Sequence, residues 1–281
     1  MSKKHYRSIF ISDTHLCSRD CRSDYLLSFL KHHKAEYLYL VGDIIDVWQL
    51  RRRWYWPQAI NNVFQKILSR AKKGTTVTYI PGNHDECLRP FVGNTFGDVR
   101  LINEAIHTTA DGKRLLVLHG DVFDAAVQHN RWLALVGDHA YTWLIRANGI
   151  FNFFRRRLNL PYWSLSGYVK GKVKNAISYI SKFEDVVIGY ARKESVDGVI
   201  CGHIHQPKIR EIDGFTYYNT GDWIENCTAL VEHDDGRFEL IHWIDAWPAV
   251  AQEHDEEEEE KENPRWQEHE IPIPVLAAVA R

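Results

Sequence analysis

The stretch Ile9-Phe10-Ile11-Ser12-Asp13-Thr14-His15 places an aspartate and a histidine directly after an apolar run. A short, continuous apolar run of this kind is typical of a strand that is buried on both faces. In the extended segment that leaves such a strand, side chains two positions apart point to the same side. Asp13 and His15 are therefore predicted to offer a carboxylate and an imidazole to the same cation.

Four further stretches repeat this arrangement of metal-ligand side chains after an apolar, β-rich run. They are Gly42-Asp43, Gly82-Asn83-His84-Asp85, His119-Gly120-Asp121 and Gly202-His203-Ile204-His205. In open α/β sheets, ligands bind in the crevice at the carboxyl ends of the strands. Because all these strand ends can converge there, the sequence predicts one site lined by Asp, Asn and His side chains, and hence a metalloenzyme.

The spacing of apolar residues predicts a mixed α/β fold. Strand patterns alternate with helical patterns between residues 6 and 121, and the helical patterns lie at residues 25–30 and 60–71. The second of these helices is predicted to end at Lys73-Gly74, since a basic last turn followed by glycine is a common helix C-terminus.

The second half of the chain contains a helical insertion and a tail. Apolar residues recur at helical spacing within residues 122–195, and the strand pattern then returns from residue 198, with a hairpin turn at Asp235-Gly236. We expect residues 1–247 to form one domain that includes the insertion. Residues 248–281 are rich in acidic side chains and interrupted by proline, so we expect a disordered tail there.

The composition indicates a globular protein without a general attraction to polyanions. The chain has 281 residues, 35 basic and 37 acidic side chains, and a formal net charge of −2. No global field draws such a chain to nucleic acid, so no nucleic-acid partner is expected. The 5 cysteines show no paired spacing, and no window holds ~18 uninterrupted apolar residues. We therefore expect a cytoplasmic protein without a signal peptide or a disulfide framework.

The candidate metal ligands are oxygen donors and imidazoles. They are Asp13, His15, Asp43, Asn83, His119, His203 and His205. This set suffices for two sites that share Asp43, and such a mixture without thiolate suits Mn, Fe, Zn or Co better than Ca. Two cations ~3.5–4 Å apart activate a bridging water and bind phosphoryl oxygens. The predicted reaction is therefore metal-dependent hydrolysis of a phosphoester or phosphoanhydride bond.

His84 is the candidate catalytic residue. It lies beside the ligand Asn83 but is not needed to complete the ligand set. Its imidazole is therefore predicted to face the substrate, as an acid or as a hydrogen-bond donor to the developing charge. Asp46, three residues after Asp43, is predicted to orient that imidazole.

Together these motifs resemble the calcineurin-like metallophosphoesterase superfamily, whose fold is a β-sandwich flanked by helices. The resemblance covers about residues 6–243. It implies that Asp13, His15, Asp43 and His205 hold one divalent metal ion and that Asp43, Asn83, His119 and His203 hold the other. It also implies that His84, paired with Asp46, is the catalytic histidine.

A narrower resemblance is to the UDP-2,3-diacylglucosamine hydrolase family of lipid A biosynthesis and its paralogous branch. It is carried by Gly42-Asp43-Ile44-Ile45-Asp46-Val47-Trp48, by the insertion after His119-Gly120-Asp121, and by Tyr218-Asn219-Thr220-Gly221-Asp222-Trp223. The resemblance implies hydrolysis of the substrate's pyrophosphate to UMP and 2,3-diacylglucosamine 1-phosphate, with Mn²⁺ as the expected ion and Fe or Zn as alternatives. The best-known branch usually has Arg in place of His84, so hydrolysis of a soluble nucleotide or a phosphoprotein stays open.

Within the insertion, a lipid substrate needs an apolar surface and phosphate-binding groups. The aromatic stripe of residues 132–154 either forms a hydrophobic cap or packs a small core of its own. The basic run that ends at Arg157 suits contact with the anionic inner membrane surface, although a solvated basic face is the alternative. Ser166, Lys170 and Lys174 are expected on one helical face, where they could hold phosphate oxygens.

Overall fold

The computed structural model describes residues 4–124 and 165–246 of the chain. The strands are β1 Lys4–Ile11, β2 His33–Val41, β3 Thr76–Ile80, β4 Thr95–Phe96, β5 Val99–Leu101, β6 Ala105–Thr108, β7 Arg114–Val117, β8 Gly198–Cys201, β9 Lys208–Ile212, β10 Phe215–Asn219, β11 Thr228–Glu232 and β12 Phe238–His242. The helices are α1 Ser23–His32, α2 Val47–Arg52, α3 Gln58–Lys72 and α4 Leu165–Lys193, with 3-10 helices at Glu86–Phe91 and Asp121–Phe123.

The strands of this part of the chain form two sheets. The first sheet has seven strands in the order β12-β11-β1-β2-β3-β5-β4, and β1, β2, β3 and β5 are parallel. The second has five strands in the order β6-β7-β8-β10-β9, and β7, β8 and β10 are parallel. Because parallel strands end at the same edge of a sheet, the residues that follow β1, β2 and β3 gather at one edge. Those that follow β7 and β8 gather likewise in the second sheet.

A shared apolar core lies between the two sheets. It contains Phe10, Tyr39, Val41, Ile80, Leu115, Val117, Ile200, Tyr218 and Leu230. Alternate residues of a strand point to opposite faces, so Leu116 of β7 packs in a second core with Phe183 and Val187 of α4. Burial on both faces explains why β7 reads as a continuous apolar run. The predicted β-sandwich flanked by helices is confirmed.

The apolar residues of helix α3 recur at helical spacing and face the core. Its residues Ile60, Val63 and Ile67 recur at helical spacing, and all three are buried. The helix ends at Lys72, and Gly74 adopts a left-handed backbone with φ of 97°. The predicted stop at Lys73-Gly74 is therefore confirmed, since glycine adopts this conformation without a steric penalty.

Of the segments predicted in the second half of the chain, the structure describes the hairpin and part of the insertion. The hairpin at Asp235-Gly236 is confirmed, because β11 and β12 pair antiparallel on either side of it. Helix α4 occupies the last part of the predicted insertion. Most of that insertion, residues 125–164, and the predicted tail, residues 248–281, lie outside the described residues. The boundaries expected for the domain, the insertion and the tail therefore stay predictions.

Candidate metal centre

The loops that follow the parallel strands are tied to one another across the two sheets. The backbone N–H of His203, after β8, donates to Asp13 Oδ2 at 2.9 Å. In the opposite direction, His119 Nδ1, after β7, lies 2.9 Å from the carbonyl oxygen of Val41 at the end of β2. The carboxyl ends of both sheets therefore meet, and the predicted strand-end residues lie around one centre.

Asp13, His15 and His205 form a first cluster, whose ligand atoms all lie within 4.8 Å of one another. The Nε2 atom of His205 is 3.2 Å from Asp13 Oδ1 and 3.4 Å from Nε2 of His15. On the other side of the His15 ring, Nδ1 lies 3.4 Å from Asp46 Oδ2. One oxygen of the Asp13 carboxylate and one ring nitrogen each of His15 and His205 are therefore close enough to bind the same cation.

Asp43, His119 and His203 form a second cluster, again with ligand atoms within 4.8 Å of one another. Asp43 Oδ2 lies 3.4 Å from His119 Nε2 and 3.9 Å from His15 Nε2 of the first cluster. Asp43 therefore lies between the two clusters, where a bridging ligand must be. The backbone N–H of His84 donates to Asp43 Oδ1 at 2.7 Å, which places the neighbouring Asn83 beside this cluster.

Several buried polar atoms at this centre have no hydrogen-bond partner within the protein. They are Asp13 Oδ1, Asn83 Oδ1 and His119 Nε2, together with His84 Nδ1, which lies 3.1 Å from Asp46 Oδ1 without meeting hydrogen-bond geometry. Buried polar atoms are nearly always paired, so unpaired lone pairs gathered at one place indicate a ligand position. Carboxylate, amide and imidazole donors are also the set that binds first-row divalent cations. The residues present therefore fit the divalent metals that the sequence predicts.

Charge interactions between the carboxylates and the imidazoles of the centre shift their pKa values in opposite directions. Burial alone would raise the pKa of Asp43, but the neighbouring His119, His15 and His84 hold that pKa well below its usual value. Burial would lower the pKa of His119, yet the Asp43 and Asp13 carboxylates raise it to about 10. Partial burial would likewise lower the pKa of His205, but the Asp13 carboxylate raises it to about 9. Ionised carboxylates thus stabilise positive charge here.

The backbone of the ligand loops is strained. Left-handed φ angles occur at Asp13, His15, Asp43, His203 and His205. The prediction that Asp13 and His15 lie in an extended segment is therefore wrong, although both side chains still reach the same cluster. Left-handed conformations are uncommon outside glycine, cost of order 1–3 kcal/mol each and concentrate at functional sites. Gly42 and Gly82 have no room for a Cβ atom, because it would overlap the His119 ring in one case and Asp43 Oδ1 in the other.

His84 lies beside the first cluster and contacts the residue predicted to orient it. Its Nδ1 is 3.1 Å from Asp46 Oδ1, and its ring packs against Trp48 with centroids 4.2 Å apart. Burial would lower the pKa of His84, but the pairing with Asp46 and the nearby Asp43 and Asp13 raise it. The geometry required by the predicted His84–Asp46 pair is present.

Asp85 has a role in the site that was not predicted. Its side chain is buried, and Oδ2 accepts from the Tyr79 hydroxyl at 2.5 Å and from the Ile44 N–H at 2.8 Å. Oδ1 accepts from the Gly82 N–H at 2.6 Å. Asp85 therefore fixes the loops that carry Asp43 and Asn83 relative to each other. Its place directly after the Asn83-His84 pair was the signal in the sequence.

The predicted substrate contacts are only partly placed. Ser166, Lys170 and Lys174 belong to α4, and their spacing puts them on one face of that helix. Their side chains lie outside the described part of the structure, as does the whole of Arg157. Their roles stay predictions.

Residues 6–207 match the model of the calcineurin-like phosphoesterase family. This chain belongs to that family. A calcineurin-like phosphoesterase hydrolyses phosphoester or pyrophosphate bonds with divalent metals, and the two Asp and His clusters could bind them. In the described residues of this phosphoesterase, no helix has the length and apolarity needed to cross a membrane.

Known proteins resemble this phosphoesterase over most of its length. A UDP-2,3-diacylglucosamine hydrolase of Vibrio atlanticus is 25% identical over 235 residues, which cover 80% of this chain and 93% of the relative. Another of the same name, from Blochmanniella floridana, is 24% identical over 258 residues, which cover 84% and 97%. A solved structure of an archaeal phosphodiesterase is 12% identical, with a TM-score of 0.41, and the match covers 83% of this chain and 98% of that one.

Proposed function

We propose that this phosphoesterase hydrolyses the pyrophosphate bond of UDP-2,3-diacylglucosamine to UMP and 2,3-diacylglucosamine 1-phosphate, a step of lipid A biosynthesis. The observation that carries the proposal is the position of Asp43 between two ligand clusters, 3.4 Å from His119 and 3.9 Å from His15. A shared carboxylate supports a dinuclear centre, which suits phosphoanhydride hydrolysis. The relatives named for this substrate, each matched over more than nine-tenths of its length, support the choice of substrate.

The ligand roles follow from the two clusters. Asp13, His15 and His205 would hold one cation, Asn83, His119 and His203 the other, and Asp43 both. When bound, two such cations lower the pKa of a water molecule and stabilise charge on phosphoryl oxygens. We propose Mn²⁺ as the ion, with Fe or Zn as alternatives, because oxygen and imidazole donors suit all three.

His84 would act on the substrate rather than on the metals. Asp46 holds its Nδ1 side at 3.1 Å and Trp48 covers one face of the ring, so the opposite ring nitrogen is left to face the substrate. From there His84 would donate a hydrogen bond or a proton to an oxygen that gains charge as the phosphorus–oxygen bond breaks.

The insertion would supply the contacts for the lipid nucleotide. Ser166, Lys170 and Lys174 belong to α4, where their spacing would put them on one face to bind phosphate oxygens together with Arg157. The aromatic stripe that precedes them would form a cap over the acyl chains. Such a protein would work on the cytoplasmic face of the inner membrane, in peripheral contact with the lipid surface.

A second candidate is hydrolysis of a soluble nucleotide or a phosphoprotein. It is favoured by His84 itself, which stands where the best-known lipid-nucleotide hydrolases usually have Arg. In that case the insertion would pack a core of its own and would bind no acyl chain.

Turnover of matched substrates tests the proposal. The full chain with Mn²⁺ is assayed on UDP-2,3-diacylglucosamine, on UDP-N-acetylglucosamine, which lacks the two acyl chains, and on a phosphopeptide. We expect UMP from the acylated substrate with a kcat/KM at least tenfold above that for the other two. A higher kcat/KM for either soluble substrate would overturn the lipid assignment and support the second candidate.

A further inference from the structure

His203 is held by a carboxylate outside the ligand set. Its Nε2 lies 2.7 Å from Asp124 Oδ1, and Asp124 is buried. The same oxygen accepts a hydrogen bond from the Tyr179 hydroxyl at 2.7 Å. Three residues that are distant in sequence thus form a chain: Tyr179 on α4, Asp124 after the second 3-10 helix, and His203 after β8.

This contact determines which ring atom of His203 can reach a cation. A metal-binding histidine usually donates its other ring N–H to a carboxylate or carbonyl, which fixes the tautomer and the ring orientation. With Nε2 donated to Asp124, the atom left for a cation is Nδ1. His119 is held in the opposite sense, because its Nδ1 contacts the Val41 carbonyl at 2.9 Å and leaves Nε2 near Asp43.

Helix α4 supports His203 by packing as well as by hydrogen bonding. Phe183 lies one turn beyond Tyr179, so both are on the same face of α4. The Phe183 ring is fully buried, and its centroid lies 5.7 Å from that of His203. It also fills the space above Gly120, where an added Cβ would come within 2.8 Å of it. One face of α4 therefore packs against the second ligand cluster.

We propose that Asp124 is a positioning residue that fixes His203 as an Nδ1 ligand, and that Tyr179 holds Asp124 in place from α4. The inference rests on the ligand role of His203 in the proposed function. It makes the affinity of the Asp43–His119–His203 cluster for its cation depend on the docking of α4. Because such coupling is reciprocal, cation binding at this cluster also stabilises the docked helix.

The first measurement is Mn²⁺ binding to the metal-stripped full chain, by calorimetric titration and metal analysis. Loss of the carboxylate that supports a ligand typically weakens metal affinity about 10–100-fold. We expect such a loss for one of the two ions in Asp124→Ala, a smaller loss in Tyr179→Phe, and partial recovery in Asp124→Asn, which keeps an acceptor oxygen. The matched control is Tyr190→Phe, since Tyr190 is on the same helix but its hydroxyl is 3.4 Å from Glu104.

The second measurement is the ring tautomer of His203 in the Zn²⁺-loaded protein, from two-bond ¹H–¹⁵N NMR spectra. We expect the proton on Nε2 in the wild type and loss of that signature in Asp124→Ala, which a merely structural role would not produce. The third is amide hydrogen exchange of residues 179–183. Added Mn²⁺ should slow it in the wild type and in Tyr190→Phe, but less in Tyr179→Phe.

The variant His203→Ala separates failure of the inference from failure of the proposed function. If His203→Ala still binds two Mn²⁺ ions with wild-type affinity, His203 is no ligand and the metal assignment is wrong. If His203→Ala loses one ion while Asp124→Ala retains wild-type affinity and tautomer, only the inference is wrong. Should Asp124→Ala fail to fold, Tyr179→Phe decides, because wild-type Mn²⁺ affinity and exchange in that variant would overturn the coupling to α4.

Discussion

Asp46 Oδ1 lies 3.1 Å from Nδ1 of His84. The Asp46 carboxylate is itself fixed, because it accepts from the Gln49 N–H at 2.8 Å as the N-cap of α2. Its other oxygen lies 3.4 Å from Nδ1 of His15. Asp46, the candidate for orienting His84, therefore caps a helix with one oxygen and lies against the candidate ligand His15 with the other.

This relationship predicts that His84→Ala slows the reaction without removing metal. A positioned acid–base residue contributes about 10²–10⁴-fold to the rate, so we expect a fall of kcat in that range. Asp46→Asn should lose less, since Asn is also a good N-cap and keeps α2 in place. Steady-state kinetics and metal analysis of the same samples check both variants. Loss of metal in His84→Ala would show that His84 is a ligand.

Gly42 is predicted to be needed for the fit of His119 and not only for its left-handed backbone. An added Cβ at Gly42 would overlap the His119 ring, whereas at Gly74, also left-handed, it would meet nothing within 4 Å. Gly74→Ala should therefore cost only the backbone strain of a left-handed alanine, about 1–2 kcal/mol, with normal metal content. Gly42→Ala should cost more and lose Mn²⁺ at the second cluster. Equal unfolding free energies and equal metal content would contradict this account.

Part of the candidate metal centre could be predicted from the sequence, and part of it could not. The gathering of the candidate ligands Asp13, His119 and His203 at one centre was predictable, because each follows an apolar run that is typical of a buried strand. The contact between Asp124 and His203 was not, since it joins residues 79 positions apart and depends on how two loops meet. The role of Asp85 was hidden for the same reason. Local patterns reveal strand ends, but the partners of a ligand come from tertiary packing.

His33 is predicted to make the protein sensitive to acid. Its ring is buried, and burial lowers its pKa to about 4 from an ordinary 6.5. As the pH falls, His33 is protonated in the unfolded chain before it is protonated in the folded protein. Its contribution to the free energy of unfolding is therefore complete above pH 6.5. It is lost as the pH falls from 6.5 towards 4, by up to about 3 kcal/mol.

Replacing His33 by Gln should flatten the unfolding free energy over that pH range. The Nδ1 atom of His33 lies 3.0 Å from the carbonyl oxygen of Phe29, four residues earlier. The matched control is His32→Gln, because His32 makes the same contact with Ser28 O at 2.8 Å but its ring is partly exposed. Urea unfolding at pH 7, 6 and 5 measures the effect. If the unfolding free energy of His33→Gln depended on pH as strongly as that of the wild type, His33 would not be the cause of the acid sensitivity.

The central claim is that Asp43 is shared by two cations in a phosphohydrolase, and the Mn²⁺ content of Asp43→Ala tests it most directly. Asp43 Oδ2 lies 3.4 Å from one cluster's His119 and 3.9 Å from the other cluster's His15, so its loss should weaken both sites at once. Metal analysis after dialysis against Mn²⁺ should find two ions per chain in the wild type and in His84→Ala, and far fewer than one in Asp43→Ala. Two ions retained in Asp43→Ala, or loss of a single ion, would contradict the shared dinuclear centre.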